Sequence, residues 1–438
     1  MIAGFCNYNF HHSSIVNLRS EIIKEYDMRF TLLVLWFCLI LVFCSEKANR
    51  YQQYPKGQVL LGIDVLKADN FRILEGKNVG LVTNHTGRDR DGKSDIDLLA
   101  EAKNVKLVKL FSPEHGIQGI CETIVASGFD SMTNLPIISL YGEHKQPTAQ
   151  MLSDVDVLVF GIQDIGTRFY TYISTMAHIM RAAKEYDKEV VILDRPNPIG
   201  GVKVEGTIPP DSLTNRFTAI YPIATQHAMT IGELAGLFNE EFGIGCKLTV
   251  VPMKYWKRSM YWDETGIVWI NPSPNMKTLT GAILYPGLGI LETTNLSMGR
   301  GTEIPFEIYG APWLDGKTLA SKMNSYRLKG IRFVPWQFVP MAGRHKYQGQ
   351  RCNGVKAILY DRIALDCHLT ALYMMKTIWE MHPEQYEFLR RFPVHMGCPE
   401  TEAWIKSGVM PEEIKARKQA ALEEFKKKRA KYLLYPDA

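Results

Sequence analysis

Residues 155–201, VDVLVFGIQDIGTRFYTYISTMAHIMRAAKEYDKEVVILDRPNPIGG, decide the fold. Val155–Phe160 and Val190–Asp194 are short, nearly unbroken apolar runs, and residues 172–186 between them carry helical spacing. Strands without apolar/polar alternation are buried on both faces, as in a parallel sheet covered by helices. Working outward, further runs of the same kind stand at Val79–Thr83, Val105–Phe111 and Ile137–Leu140. A helix-like segment lies at 94–103, and a helix at 230–242 with a strand at 247–252 would add one more unit. The pattern predicts an α/β, Rossmann-like, doubly wound parallel sheet over 58–255. From about 256 the chain turns to aromatic-rich loops and Pro/Gly turns. Helices return at 316–326 and 367–381, which predicts a smaller α+β auxiliary domain over 256–438.

Composition narrows the class. The chain has 438 residues, 46% hydrophobic and 22% charged, which excludes a disordered or fibrous protein. Of the net charge of +5, residues 411–431 hold +4, so a basic C-terminal helix and not a nucleic-acid groove accounts for it. Residues 1–57 read as a leader and linker. Met28-Arg29 precedes the uncharged run Phe30–Cys44, whose 15 residues suit a signal-peptide core better than a membrane span, which needs about 20. Translation then starts at Met28, with 1–27 as an upstream extension. Cys44 stands where a bacterial lipoprotein is cleaved and acylated, although Phe43 is larger than such sites prefer; simple cleavage and an uncleaved anchor are the alternatives. An exported bacterial protein of the periplasm or cell surface is expected. The later cysteines, 121, 246, 352, 367 and 398, contain no CxxC and signal neither zinc nor a disulfide framework. They read as buried small apolar residues.

Open parallel sheets bind ligands beyond the carboxyl ends of their strands. Five consecutive strand ends here carry polar residues: Thr83-Asn84-His85-Thr86-Gly87, Ser112-Pro113-Glu114-His115-Gly116, Tyr141-Gly142-Glu143, Gln163-Asp164 through Arg168-Phe169-Tyr170, and Asp194-Arg195-Pro196-Asn197. Singly, Asp164 and Asp194 suit helix caps or turns, the histidines suit structural hydrogen bonds, and Arg168 suits an ion pair. Glu114, between a strand and a glycine-ended loop, reads as a desolvated carboxylate raised toward a general acid. The first turn has one glycine, so GxGxxG is missing, as are a Walker A loop and a GxSxG elbow. No nucleotide, other cofactor or metal is expected. In the second half, Asn271-Pro272-Ser273-Pro274-Asn275, Tyr285-Pro286-Gly287, Glu292-Thr293-Thr294-Asn295 and Gly299-Arg300-Gly301 read as loops suited to a sugar.

The runs GIDVL (62–66), GLVTNHTG (80–87), FSPEHGIQG (111–119), SLYG (139–142), IQDIGTRFYTYISTM (162–176), LDRPNPIGG with VEG (193–201, 204–206), MTIGELA (229–235), NPSPNM (271–276) and YPGLGILETTNLSMGRGTEIPFEIYGAPW (285–313) resemble the NamZ-type exo-β-N-acetylmuramidases, glycoside hydrolase family 171. The resemblance covers roughly residues 58–390. It implies a Rossmann-like domain joined to an auxiliary one, an active site in the cleft between them, and release of terminal N-acetylmuramic acid (MurNAc) from peptidoglycan fragments such as MurNAc-GlcNAc oligosaccharides. It also implies that Glu114, in the PEHG motif, is the catalytic glutamate. The chain departs from the family at Asn84-His85, where Asn-Gln is usual. Glycosidases need a second carboxyl group; Glu205, Asp164 and Glu292 are the candidates, in that order. Asn84, His85, His115, Arg168, Tyr170, Asn197, Asn275, Glu292, Asn295 and Arg300 are the expected substrate contacts. Arg300, between two glycines, is the first choice and Arg168 the second for the lactyl carboxylate that distinguishes muramic acid from N-acetylglucosamine. The alternative function is a non-catalytic cell-wall binder using the same cleft.

Overall fold

The computed structural model describes residues 59–119, 127–341, 343 and 345–437. The leader, Cys44 and Cys121 lie outside the described residues. One sheet is built from β1 (Asn78–Thr83), β2 (Lys106–Ser112), β3 (Gly128–Phe129), β4 (Pro136–Ser139), β5 (Val157–Gly161), β6 (Glu189–Leu193) and β7 (Lys247–Val251), in the order β3-β4-β2-β1-β5-β6-β7. All its pairs are parallel except β3 with β4. The doubly wound sheet is therefore present, with one antiparallel edge strand that two exposed residues, Gly128 and Phe129, gave no pattern to reveal.

Successive residues of one strand feed two cores. Val157 and Val159 of β5 join Leu81, Leu98 and Leu193 on one face; Leu158 and Phe160 join Val82, Phe111 and Ile192 on the other. Each such side chain, fully buried, contributes roughly 1.5–3 kcal/mol. Helices α1 (Gly62–Ala68) and α2 (Asp95–Glu101) cover the first face. The second is covered by α3 (Tyr172–Glu185) and α4 (Ile231–Glu240); α3 presents Ile173, Met176, Ala177 and Met180 at helical spacing. Thr230 and Glu233 close a capping box at the start of α4.

The same core runs on into the second half. Helix α5 (Leu279–Leu288) contains Tyr285-Pro286-Gly287, expected as a loop. Its residues from Gly281 to Leu288 are all buried, and that burial offsets the hydrogen bond Pro286 cannot make. A three-stranded antiparallel sheet, order β8-β10-β9, is formed by β8 (Ile308–Ala311), β9 (Ile331–Phe338) and β10 (Cys352–Leu359), with α6 (Gly316–Ser325) between β8 and β9 in the chain. Helices α7 (Cys367–Met381), α8 (Phe392–Met396), α9 (Thr401–Lys406), α10 (Pro411–Arg417) and α11 (Gln419–Ala430) follow. The basic tail is more than a solvated face. Arg429 is buried and donates to the Ala228 carbonyl at 2.7 Å, and the Leu434 amide donates to Glu233 Oε1 at 2.8 Å, tying the chain end to the start of α4. Cys246, Cys352, Cys367 and Cys398 are buried and free. Among the described residues no helix is long and apolar enough to cross a membrane.

Candidate active site

Glu114 follows the end of β2 by two residues, and Thr171 is the N-cap of α3. The loop after β5 thus lies beside the loop after β2, and the Thr171 hydroxyl donates to Glu114 Oε2 at 2.5 Å. Burial first, and the neighbouring Glu114 second, push the Tyr141 phenol up to about 12. Glu114 is half-buried, not enclosed as expected, because it faces a cleft with about 780 Å³ of empty space including its mouth.

The second half supplies the opposite wall. Tyr285 of α5 packs against Phe306 (ring centroids 4.8 Å apart) and Phe169 (5.2 Å), and all three line the cleft. Glu292, from the turn after α5, and Arg300 line it too and form an ion pair with each other. Burial raises the Glu292 carboxyl, but the Arg300 guanidinium, His395 and Lys346 outweigh it and hold the group below the usual range. Glu292 is therefore an anion at neutral pH. His115, held at φ 73°, Tyr170, Ser273 and Asn275 add to the polar lining, with Arg391 at the N-cap of α8 and His395 within it. Burial pushes His395 down to about 4, so this ring is neutral at neutral pH; it stacks on Phe169 at 5.0 Å.

Of the expected residues, then, Glu114, His115, Tyr170, Asn275, Glu292 and Arg300 share one cavity. The others do not, and each has a structural task. Arg168 is fully buried and donates to the carbonyls of Val394 (2.9 Å) and His395 (2.7 Å), pinning α8 to the sheet half. It cannot reach a ligand. Asn84 accepts from the Thr86 amide (2.9 Å) and donates to the Tyr172 hydroxyl (3.1 Å). His85 bonds the Asn271 carbonyl at 2.7 Å, bracing the 271–276 turn from behind. Asn197 accepts from the Ile199 amide and donates to the Met229 carbonyl. Asn295 bridges to the backbone of Gln385 and Glu387. Asp164 is buried, accepts from the Gly166 amide at 2.7 Å, and has His227 at 3.8 Å; burial raises it to about 7. Asp194, which suited a turn, accepts from the Thr230 hydroxyl and the Gly232 amide, both at 2.8 Å.

Glu205, the first choice for the second carboxylate, is also elsewhere. It lies in a separate small pocket with Lys203, Tyr261 and Arg362, and accepts from the Cys367 amide that opens α7, at 3.2 Å. Burial, then the neighbouring Asp366, raises its carboxyl to about 7. A raised carboxyl favours the fold while protonated, and that contribution is lost as pH rises from about 4.5 through 7. Glu205→Gln, which cannot ionise, should therefore be more stable to urea than the native chain at pH 8, by up to roughly 3 kcal/mol, and equally stable at pH 4. Its hydrolytic activity should be unchanged; loss of activity at both pH values would return Glu205 to the chemistry.

Sequence reading missed Thr171, Ser273, Tyr285, Arg391 and His395. Thr171 and Ser273 stand inside the motifs at 162–176 and 271–276, beside residues expected to bind, and Tyr285 stands in a run that reads as a loop. The segment around Arg391 and His395 begins where the motif resemblance stops.

The chain matches the family models described as Exo-beta-N-acetylmuramidase NamZ, N-terminal, over residues 79–280, and Exo-beta-N-acetylmuramidase NamZ, C-terminal, over 283–435. Peptidoglycan beta-N-acetylmuramidase NamZ of Bacillus subtilis is 43% identical over 406 residues, covering 92% of this chain and 97% of the relative. Two crystallised DUF1343 family proteins of Bacteroides fragilis share the fold, with TM-scores of 0.81 and 0.70 at 38% and 31% identity. Each match covers 87% of this chain and 100% of the other. With both halves matched end to end, on a scaffold that brings Glu114 and Glu292 to one cavity, the chain belongs to the NamZ exo-β-N-acetylmuramidase family.

Proposed function

We propose that the protein is an exo-acting glycosidase that releases MurNAc from the non-reducing end of peptidoglycan fragments. The observation that carries this reading is the pair of carboxyl groups lining one cleft, Glu114 oriented by Thr171 and Glu292 kept anionic by Arg300. It is joined to 43% identity, over nearly the full length, with a peptidoglycan β-N-acetylmuramidase.

In this reading Glu114 is the general acid. It gives its proton to the glycosidic oxygen as the bond lengthens, and the Thr171 hydroxyl fixes its rotamer for that transfer. Glu292 faces the positive charge that grows on the sugar ring. As an anion it stabilises that charge and serves as base or nucleophile on the far side. The Tyr285, Phe169 and Phe306 rings supply an apolar wall for a sugar face. Export to the bacterial periplasm or cell surface, directed by the Met28–Cys44 segment with lipid attachment at Cys44 or without it, would place the enzyme beside its polymer.

The test is incubation with the MurNAc-GlcNAc disaccharide and detection of both free sugars. Equimolar release of MurNAc and GlcNAc is expected. A rise in melting temperature with the disaccharide and no cleavage would instead identify a binder, since ligand in excess stabilises whatever binds it.

A further inference from the structure

Beyond the Glu292–Arg300 pair the cleft opens into a second hollow, with about 540 Å³ of empty space, lined by Ser297, His345 and Lys346 among others. Glu292, Arg300 and Arg391 line both compartments. The wall between them is cationic. Two of its charges are already committed within the protein. Arg300 pairs with Glu292, and the Lys346 ammonium donates to the backbone carbonyls of Glu292 (2.7 Å) and Thr294.

Arg391 differs. It is exposed, stands at the N-cap of α8 with no side-chain capping bond, and enters no ion pair among the described residues. It lines both compartments, on the same wall as Glu292 and Arg300, and its charge also acts on Tyr141, His395 and Lys346. A hydrated, uncommitted guanidinium gives up little when a ligand carboxylate replaces its water, and its planar fork takes a carboxylate through two parallel hydrogen bonds. Arg300 would have to release Glu292 to do the same, which would leave a partly buried carboxylate unpaired.

We propose that Arg391, and not Arg300, is the anchor that selects muramic acid by binding its lactyl carboxylate. The inference rests on the muramidase reading and adds the residue that sets its specificity.

The test compares two aryl β-muramides, one with the free lactyl carboxylate and one with that group as its neutral primary amide. The native enzyme should prefer the acid. Arg391→Ala should lower kcat/KM on the acid by roughly 10- to 100-fold, chiefly through KM, and leave the amide within about twofold. Arg391→Lys should recover part of the loss, because charge returns without the fork. Arg300→Ala should lower both substrates alike, since it releases Glu292. An exposed side chain can be removed without unfolding the protein, and an unchanged melting temperature would verify this. Equal loss on acid and amide in Arg391→Ala, no loss at all, or an acid-specific loss in Arg300→Ala would each overturn the assignment while leaving the muramidase reading intact. Cleavage of neither muramide by the native enzyme would overturn both.

Discussion

Glu114→Gln should lower kcat on the MurNAc-GlcNAc disaccharide by about 10²–10⁴, the range a positioned general acid supplies. The substitution keeps the shape of the side chain and can keep the Thr171 hydrogen bond, because an amide oxygen accepts as a carboxylate oxygen does. Unfolding should be unchanged. The loss should also depend on the leaving group. GlcNAc departs as a poor alkoxide and needs the proton, whereas a nitrophenolate leaves largely without help. The defect on nitrophenyl β-muramide should therefore be smaller, by about tenfold or more, than on the disaccharide. Near-full turnover of the disaccharide would remove Glu114 as the acid. An equal loss on both substrates would assign it to another role, such as attack on the sugar.

The sheet was legible because its signal is redundant. The central strands β1, β5 and β6 are buried on both faces, so a run such as VLVF admits few other readings, and both cores use it. The second sheet was not. Four consecutive residues of β9, Val334 to Gln337, are exposed, and Pro335 sits among them, so the run reads as a loop. The site was legible in half for a related reason. A polar residue at a strand end can turn into the cleft or back onto the backbone of its own turn, and the sequence is the same in both cases. Glu114 turns outward. Asn84, Asn197 and Asp164 turn back, because each caps an amide two residues further on. Arg168 and Glu205 were misassigned because their partners, the carbonyls of Val394 and His395 and the amide of Cys367, lie more than 150 residues away. Arg391 and His395 reach the cleft from the far end of the chain, where no local pattern marks them.

Glu292→Gln should be nearly as damaging as Glu114→Gln, about 10²–10⁴ in kcat, but with the opposite leaving-group signature. A carboxylate that answers charge on the sugar ring is needed whatever departs, so the disaccharide and the nitrophenyl muramide should lose similar factors. Ionic setting makes the prediction specific. Arg300 and Lys346 hold Glu292 anionic at neutral pH, and the neutral amide leaves those two cations without their anion, facing a sugar that is itself becoming positive. The harm is therefore double: a stabilising charge is lost and a repulsive field is uncovered. A small added anion should repair part of it. With Glu292→Ala, which opens space where the carboxylate was, azide should restore turnover of the nitrophenyl substrate and give a muramyl azide of inverted anomeric configuration, because azide would attack from the face Glu292 occupied. Azide should not restore Glu292→Gln, whose amide fills that space. A product of retained configuration from Glu292→Ala would place Glu292 on the leaving-group side and exchange its role with that of Glu114. Turnover within tenfold of the native enzyme, without azide, would leave Glu292 as no more than the ion-pair partner that positions Arg300.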